Sequence, residues 1–271
     1  MNLHPEITEG VRRALEEDIG SGDVTTRATV GESQIARGRY LARERLVLAG
    51  TDLLPLFFDD VSILKHDGEV CSDGDVIATV TGPARLLLER ERVSLNYLQR
   101  LSGVATLARA FVDRVAGTRC QVLDTRKTTP GLRRLEKMAA AAGGVTNHRM
   151  GLYDAILIKN NHITAAGGVR AAIERARAAS TLPIEIEVRT RAELAEALAC
   201  GAGHLLLDNL TPSAAAEWVR EVNGRATTEL SGGVTLETVR AYAEAGADFV
   251  SVGAITHSAR AMDLSFRLEL T

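Results

Sequence analysis

The residues most able to do chemistry are cations set where apolar runs end. The stretch Cys120-Gln-Val-Leu-Asp-Thr-Arg126 leads from an apolar strand into Arg126 and Lys127, and the turn Pro130-Gly131 then breaks it. His148 and Arg149 follow, and Lys159 closes the apolar run Ala155-Ile-Leu-Ile158. Two carboxylates, Glu187 and Asp208, end two further apolar runs. Ser231-Gly-Gly-Val234 and Gly253-Ala254 end two more. Arginines bind carboxylate and phosphate through paired N–H groups. Two carboxylates suit a hard divalent ion such as Mg²⁺ shared with substrate phosphates. Glycine-rich loops after the last strands of a barrel commonly offer backbone N–H groups to a phosphate. Together they describe a pocket for a ligand rich in carboxylate or phosphate, with a metal. Each residue alone has a plainer reading: Arg-Lys as surface, Gly-Gly as a turn, Glu187 and Asp208 as caps. Their shared place at strand ends favours the joint reading.

The elements that must hold these residues alternate from residue 120 onward. Strands are expected at Gln121–Asp124, Ala155–Lys159, Ile184–Val188, His204–Asp208, Thr227–Ser231 and Asp248–Gly253. Helices are expected at 132–142, 167–179, 191–200, 212–223 and 235–245. Such alternation gives parallel strands with right-handed crossovers. Polar or glycine residues close all six strands. An open doubly wound sheet gathers its site at one switch point, so this pattern favours a barrel with a shared mouth, short of the usual eight strands. The earlier half differs. A helix is expected over 5–18, and residues 33–85 alternate with period two around the turns Asp67-Gly68 and Asp73-Gly74, as in a small antiparallel sheet. That turn pattern also suggests a lipoyl- or biotin-type barrel, but it lacks the modifiable lysine. A long helix is expected from Leu86 to Ala116, broken near Ser102-Gly103, with Arg92 on its mixed charged face, where the pattern alone reads it as solvated. The fold class is therefore α/β, with domains at 1–105 and 106–255 and a last segment, 256–271, returning to the first.

Composition narrows the function classes. The chain has 271 residues, 45% of them apolar, and a net charge of −3, so no global field draws it to nucleic acid or membrane. No leader and no spanning run is evident at the sequence level. Cys71, Cys120 and Cys200 are scattered and odd in number, which fits free thiols in a reducing cytoplasm, and none pairs with a second cysteine at metal-ligand spacing, which argues against a structural zinc site. His4, His66, His204 and His257 lie outside the pattern and are read as structural, while His162 stands close to the site with either role open.

Five stretches carry a resemblance. They are Asp124-Thr-Arg-Lys-Thr-Thr-Pro-Gly-Leu-Arg133, Gly143-Gly144 with Asn147-His-Arg-Met-Gly-Leu152, Leu157-Ile-Lys-Asn-Asn-His162, Leu207-Asp-Asn209 and Ser231-Gly-Gly-Val-Thr235. With Gly22-Asp-Val-Thr25 and Leu101-Ser-Gly-Val-Ala105, they resemble the quinolinate phosphoribosyltransferase family over nearly the whole chain. The resemblance implies an N-terminal α/β sandwich domain, an incomplete, about six-stranded α/β barrel, and a homodimer or an assembly of dimers. It implies transfer from 5-phosphoribosyl 1-pyrophosphate to quinolinate, with Mg²⁺, giving nicotinate mononucleotide, pyrophosphate and CO₂ in NAD biosynthesis. It implies that Arg126, His148, Arg149 and Lys159 hold the quinolinate carboxylates and that Lys127 meets the phosphoribosyl donor. Glu187 and Asp208 would hold the ribose hydroxyls and the metal, and Ser231, Gly232, Gly233 and Gly253 a phosphate. Arg92 would reach the neighbouring subunit's site. Lys127, Lys159, Glu187 and Asp208 are the expected catalytic set.

The chain departs from the family pattern at Val145, where a third glycine is usual, and at Asn160, where an acid is usual; the latter puts a direct acidic metal contact there in doubt. Three other readings stay open: a relative associated with molybdenum transport, a nicotinate-type phosphoribosyltransferase, and a non-catalytic phosphate-metabolite binder.

Overall fold

The computed structural model describes residues 3–271. Its contacts form two compact units, one of the described residues up to 109 with 128–144 and 258–271 and the other of 110–127 and 145–257. The chain thus passes between the units more than once, and the segment 128–144 belongs with the first.

In the first unit, α1 (Pro5–Ile19) and α2 (Val24–Thr29) precede β1 (Ile35–Ala42), β2 (Leu46–Val47), β3 (Asp60–Ile63), β4 (Val70–Cys71) and β5 (Val76–Pro83). Helix α3 (Ala84–Val115) follows and begins in this unit, and α4 (Arg133–Ala142) and β12 (Leu264–Leu270) also belong to it. The main sheet has the order β12-β1-β5-β3 with antiparallel pairing, and β2 pairs with β4. Alternating burial along β1 puts Tyr40 inward, edge-on to Phe266 at 4.9 Å and hydrogen-bonded to Ser94 Oγ on α3 at 2.5 Å. Leu87, Leu95 and Leu98 bury the apolar stripe of α3 in this core.

The helix is not broken at Ser102-Gly103. It runs through, and the glycine serves a close approach instead: a Cβ on Gly103 would stand 1.9 Å from the carbonyl oxygen of Arg260. Glu136 on α4 is fully buried. It accepts bonds from Arg100 Nη2 at 2.7 Å, Thr129 N at 2.9 Å and Thr129 Oγ1 at 2.7 Å, which ties down the loop after Thr128.

The second unit carries β6 (Gln121–Leu123), β7 (Ile156–Ile158), β8 (Ile184–Val188), β9 (His204–Asp208), β10 (Thr227–Ser231) and β11 (Phe249–Ser251). Between and after them lie α5 (Asn160–Ala166), α6 (Val169–Ala179), α7 (Arg191–Ala199), α8 (Pro212–Val222), α9 (Val239–Glu244) and α10 (Ala254–His257). The sheet is parallel throughout, in the order β6-β11-β10-β9-β8-β7. Strands buried on both faces, such as β8 and β9, are what helices packed outside such a sheet require. Capping chemistry sets the helix bounds. Thr190 and Glu193 form a capping box on α7, Thr211-Pro212 opens α8, and Asn223 in the left-handed region ends it.

β6 and β7 are consecutive in sequence but lie at opposite edges, so the barrel is incomplete between them. The irregular segment from Val145 to Ala155 fills part of that gap through a single bridge, Leu123 to Thr146. Among the described residues, no helix is long and apolar enough to cross a membrane.

Candidate active site

The parallel sheet gathers the expected residues at one end, that of the strands' carboxyl termini. Arg126 and Lys127 follow β6, and Lys159 follows β7. Glu187 lies on β8, Asp208 and Ser231 end β9 and β10 side by side, and Gly253 follows β11. In barrels this is the end where active sites form. The turn after β6 is fixed to α10, where the buried Thr256 hydroxyl donates to Lys127 O at 2.8 Å. Gly253 leaves room for the Lys127 stem, because a Cβ there would stand 2.8 Å from Lys127 Cδ.

Helix α5, which the sequence pattern did not suggest, begins directly after Lys159. His162 Nδ1 accepts from Lys159 N at 2.9 Å, so His162 holds the start of that helix and the backbone of the lysine. Lys159 Nζ lies 3.7 Å from Glu187 Oε2. Asn209 has φ 56°, and its amide donates to Asp208 Oδ2 at 2.7 Å while its N–H donates to Ser231 O at 2.9 Å. One residue thereby sets both the carboxylate and the glycine turn beside it. Gly232 is at φ +103° with Asn209 Oδ1 2.2 Å from where a Cβ would be, and Gly233 is at φ +59°.

Two of the cations, Arg126 and Arg149, lie near one another. Arg126 Nε is buried and has no hydrogen-bond partner among the described residues. Arg149 is pushed below its ordinary pKa, first by burial and then by the nearby Arg126 charge. Arg149 Nη1 donates to Ala155 O at 3.0 Å. Two guanidiniums close enough to repel, one with a buried donor unmet, leave positive charge and a donor that an anion could answer. Arg92 lies in the first unit, exposed on α3.

Beneath the mouth lies a polar layer that strand-end reasoning missed. His148 Nε2 lies 3.1 Å from Glu185 Oε2 and 3.5 Å from Glu229 Oε2. His204, read above as standing apart from the site, joins it: its Nε2 is 3.4 Å from Glu185 Oε1 and 3.7 Å from Glu229 Oε2, and its ring stacks on Phe249. Both glutamates are buried, and strand β9 separates the strands that carry them. The missed signal was the two-residue period. Glu185 is two residues before Glu187, and Glu229 is two before Ser231, so each shares its neighbour's face.

Burial would raise Glu185, but the imidazoles of His148 and His204 hold it below the ordinary carboxylate range; burial keeps Glu229 above it. The two environments push the neighbouring carboxyl groups in opposite directions, so of the two Glu229 holds a proton more readily. Burial would lower His148, yet the two carboxylates raise it to about 10, which favours a charged ring. Against that, Arg149 N donates to His148 Nδ1 at 2.7 Å, which requires a bare Nδ1. The bond geometry decides the tautomer: the ring proton sits on Nε2, facing the carboxylates. Both ring nitrogens are thus engaged within the chain.

The comparisons with known proteins agree with this architecture. The family model described as quinolinate phosphoribosyl transferase, N-terminal domain, matches residues 23–102, and the C-terminal domain model of the same family matches 104–267. The chain is 40% identical to the probable nicotinate-nucleotide pyrophosphorylase [carboxylating] of Bacillus subtilis (strain 168), covering 99% of this chain and 95% of that one. It is 42% identical to the nicotinate-nucleotide pyrophosphorylase [carboxylating] of Mycobacterium leprae (strain TN), covering 95% of each. The crystal structure of NadC from Streptococcus pyogenes superposes with a TM-score of 0.94 at 37% identity, over 100% of this chain and 99% of that one. With both domain models matched in order and relatives aligned over nearly their full length, the chain belongs to the quinolinate phosphoribosyl transferase family.

Proposed function

We propose that this chain transfers the phosphoribosyl group of 5-phosphoribosyl 1-pyrophosphate to quinolinate with loss of CO₂, forming nicotinate mononucleotide and pyrophosphate for NAD synthesis. The observation that carries the reading is the Arg126–Arg149 pair, one with a buried donor unmet and the other pushed down by burial and then by its neighbour's charge. A dicarboxylate answers both at once. A monocarboxylate such as nicotinate leaves part of that charge unmatched.

In this reading Arg126, Arg149 and Lys159 hold the two carboxylates of quinolinate, with His148 behind them. Lys127 meets the phosphoribosyl donor. Glu187 and Asp208 face the ribose hydroxyls, and Ser231, Gly232, Gly233 and Gly253 surround its 5-phosphate. Glu187 and Asp208 also fit Mg²⁺: they offer hard carboxylate oxygens beside the expected phosphates, and the ion would keep further oxygens from pyrophosphate or water. When bound, Mg²⁺ offsets the charge of the departing pyrophosphate.

The reaction asks the chain to position rather than to attack. The pyridine nitrogen bonds to the ribose anomeric carbon as the carbon–oxygen bond to pyrophosphate breaks. Positive charge grows on the ribose ring, and the two carboxylates stabilise it, as they do in glycoside cleavage. The alkylated nitrogen is then cationic. It accepts the electron pair left when the adjacent carboxylate departs as CO₂, and a proton from water completes the new C–H bond. Fixed cations in a water-poor mouth are effective here because their interactions are stronger than in bulk water.

The functional unit is a dimer to which Arg92 contributes across the interface. Support comes from the edge strand β7. Exposed Leu152 and Tyr153, 73% and 70% accessible, flank it, and a hollow of about 320 Å³ there is lined by Leu152, Ile156, Leu157 and His162. A second copy would cover these apolar groups.

The test is a turnover assay with the donor and Mg²⁺, offering quinolinate and nicotinate in separate tubes and following pyrophosphate and CO₂ together. Both products from quinolinate alone are expected. Turnover of nicotinate, or of neither acid, would overturn the assignment.

A further inference from the structure

The loop carrying Arg149 has no sheet to hold it. From Val145 to Ala155 the chain is irregular, and the bridge between Leu123 and Thr146 is its one ladder-like contact. Just past that bridge, bonds to buried side chains take over. Asp124, with no accessible surface, accepts from Asn147 Nδ2 at 2.6 Å and from His148 N at 2.9 Å. His148 Nδ1 accepts from Arg149 N at 2.7 Å, and His148 Nε2 lies 3.1 Å from Glu185 Oε2. Glu185 in turn sits between the two histidines, with Glu229 beside it. A continuous path of hydrogen bonds therefore runs from the rigid interior of β8 through one imidazole to the backbone of Arg149. Without Glu185 the ring loses the nearer of its two carboxylate partners, and the acceptor it offers to the Arg149 N–H is held less firmly.

We propose that Glu185, supported by Glu229 and His204, is a positioning residue for acid-substrate binding: acting through the His148 ring, it sets the loop that presents Arg149. The proposal rests on the reading of Arg149 as a contact to the quinolinate carboxylates. It assigns Glu185 no contact with substrate. Its effect is selective, because the donor side of the mouth, at Asp208 and the Ser231–Gly233 turn, is held by Asn209 and not by His148.

The test compares the Michaelis constants for quinolinate and for the donor in Glu185→Ala, Glu185→Gln and Arg149→Ala, together with the double variant. E185A should raise the quinolinate KM on the order of tenfold to a hundredfold, as displaced binding groups do, and leave the donor KM within about twofold. E185Q keeps an acceptor for the Nε2–H and should remain within about threefold of the parent. In the double variant, E185A should add little to R149A, because both act on one contact. If E185A does not fold, as judged by circular dichroism, E185L fills the same space without an acceptor and carries the same expectation. A rise in both constants alike, no rise in a folded E185A or E185L, or independent effects of E185A and R149A would overturn the proposal. If R149A itself leaves the quinolinate KM unchanged, the underlying reading of Arg149 fails and the proposal falls with it. If R149A raises it while E185A does not, only the role of Glu185 falls.

Discussion

Two adjacent glycines at the end of β10 should respond very differently to the same substitution. A methyl group on Gly233 meets no heavy atom within 4 Å, and its φ of +59° is one that an L-residue can adopt at a cost of roughly 1–2 kcal/mol. Gly232 has φ +103°, where an L-residue carries strain of roughly 1–3 kcal/mol. Its Cβ would also stand 2.2 Å from Asn209 Oδ1 and 3.0 Å from Asn209 Cα, and such overpacking costs roughly a further 1–3 kcal/mol. Relief would require Asn209 to move, and Asn209 holds Asp208 at 2.7 Å. If the turn binds the donor's phosphate, the substituted turn relaxes out of this geometry when free and binding must restore it, so the cost appears as lost donor affinity. Gly233→Ala should then raise the donor KM roughly fivefold to thirtyfold, and Gly232→Ala at least about thirtyfold, with a loss of kcat as Asp208 shifts. The assay is initial rate against donor concentration at saturating quinolinate, with folding checked by circular dichroism. Equal effects at the two positions, or a Gly232→Ala protein with the parent's donor KM, would refute the reasoning.

Three further outcomes are expected. Glu136→Ala removes a fully buried partner of Arg100 and Thr129, so it should cost about 3–5 kcal/mol and lower Tm by roughly 6–20 °C, with Glu136→Gln milder; differential scanning calorimetry reads both, and equal Tm values for parent and alanine variant would contradict the account. Arg92→Ala and Lys159→Ala proteins, each inactive alone, should regain part of their activity when mixed, because a hybrid dimer holds one intact mouth; no recovery despite confirmed subunit exchange would count against a shared site. Burial pushes the Cys120 thiol up to about 12, so it stays protonated at neutral pH, and iodoacetamide followed by peptide mapping should label half-buried Cys200 well before Cys120.

Much of the second unit was legible because its signals are local. The runs at 184–188, 204–208 and 227–231 are strands with those bounds, and the polar residues closing them lie together at one end of the sheet. What escaped depends on partners distant in sequence. Ile184-Glu-Ile-Glu-Val188 reads as a strand with one wet face, yet the sheet buries both glutamates and returns them to the site's support through His148. Gly103 resembles a helix breaker until Arg260, far along the chain, is seen against it. Helix α5 has little apolar period and starts where His162 turns back onto Lys159 N. The attachment of residues 128–144 to the first unit rests on contacts such as Glu136 with Arg100, which no window of sequence contains.

The pairing of β12 with β1 has a consequence during synthesis. Ala36 pairs with Leu270 and Ala42 with Leu264, so the strand that closes one edge of the first sheet is translated after the whole of the second unit. Until it arrives, β1 presents a row of unpaired N–H and C=O groups, a template for joining the wrong chain. Nascent chains stalled before residue 264 would therefore carry an adhesive edge, and a chaperone that shields extended backbone would matter most in that interval.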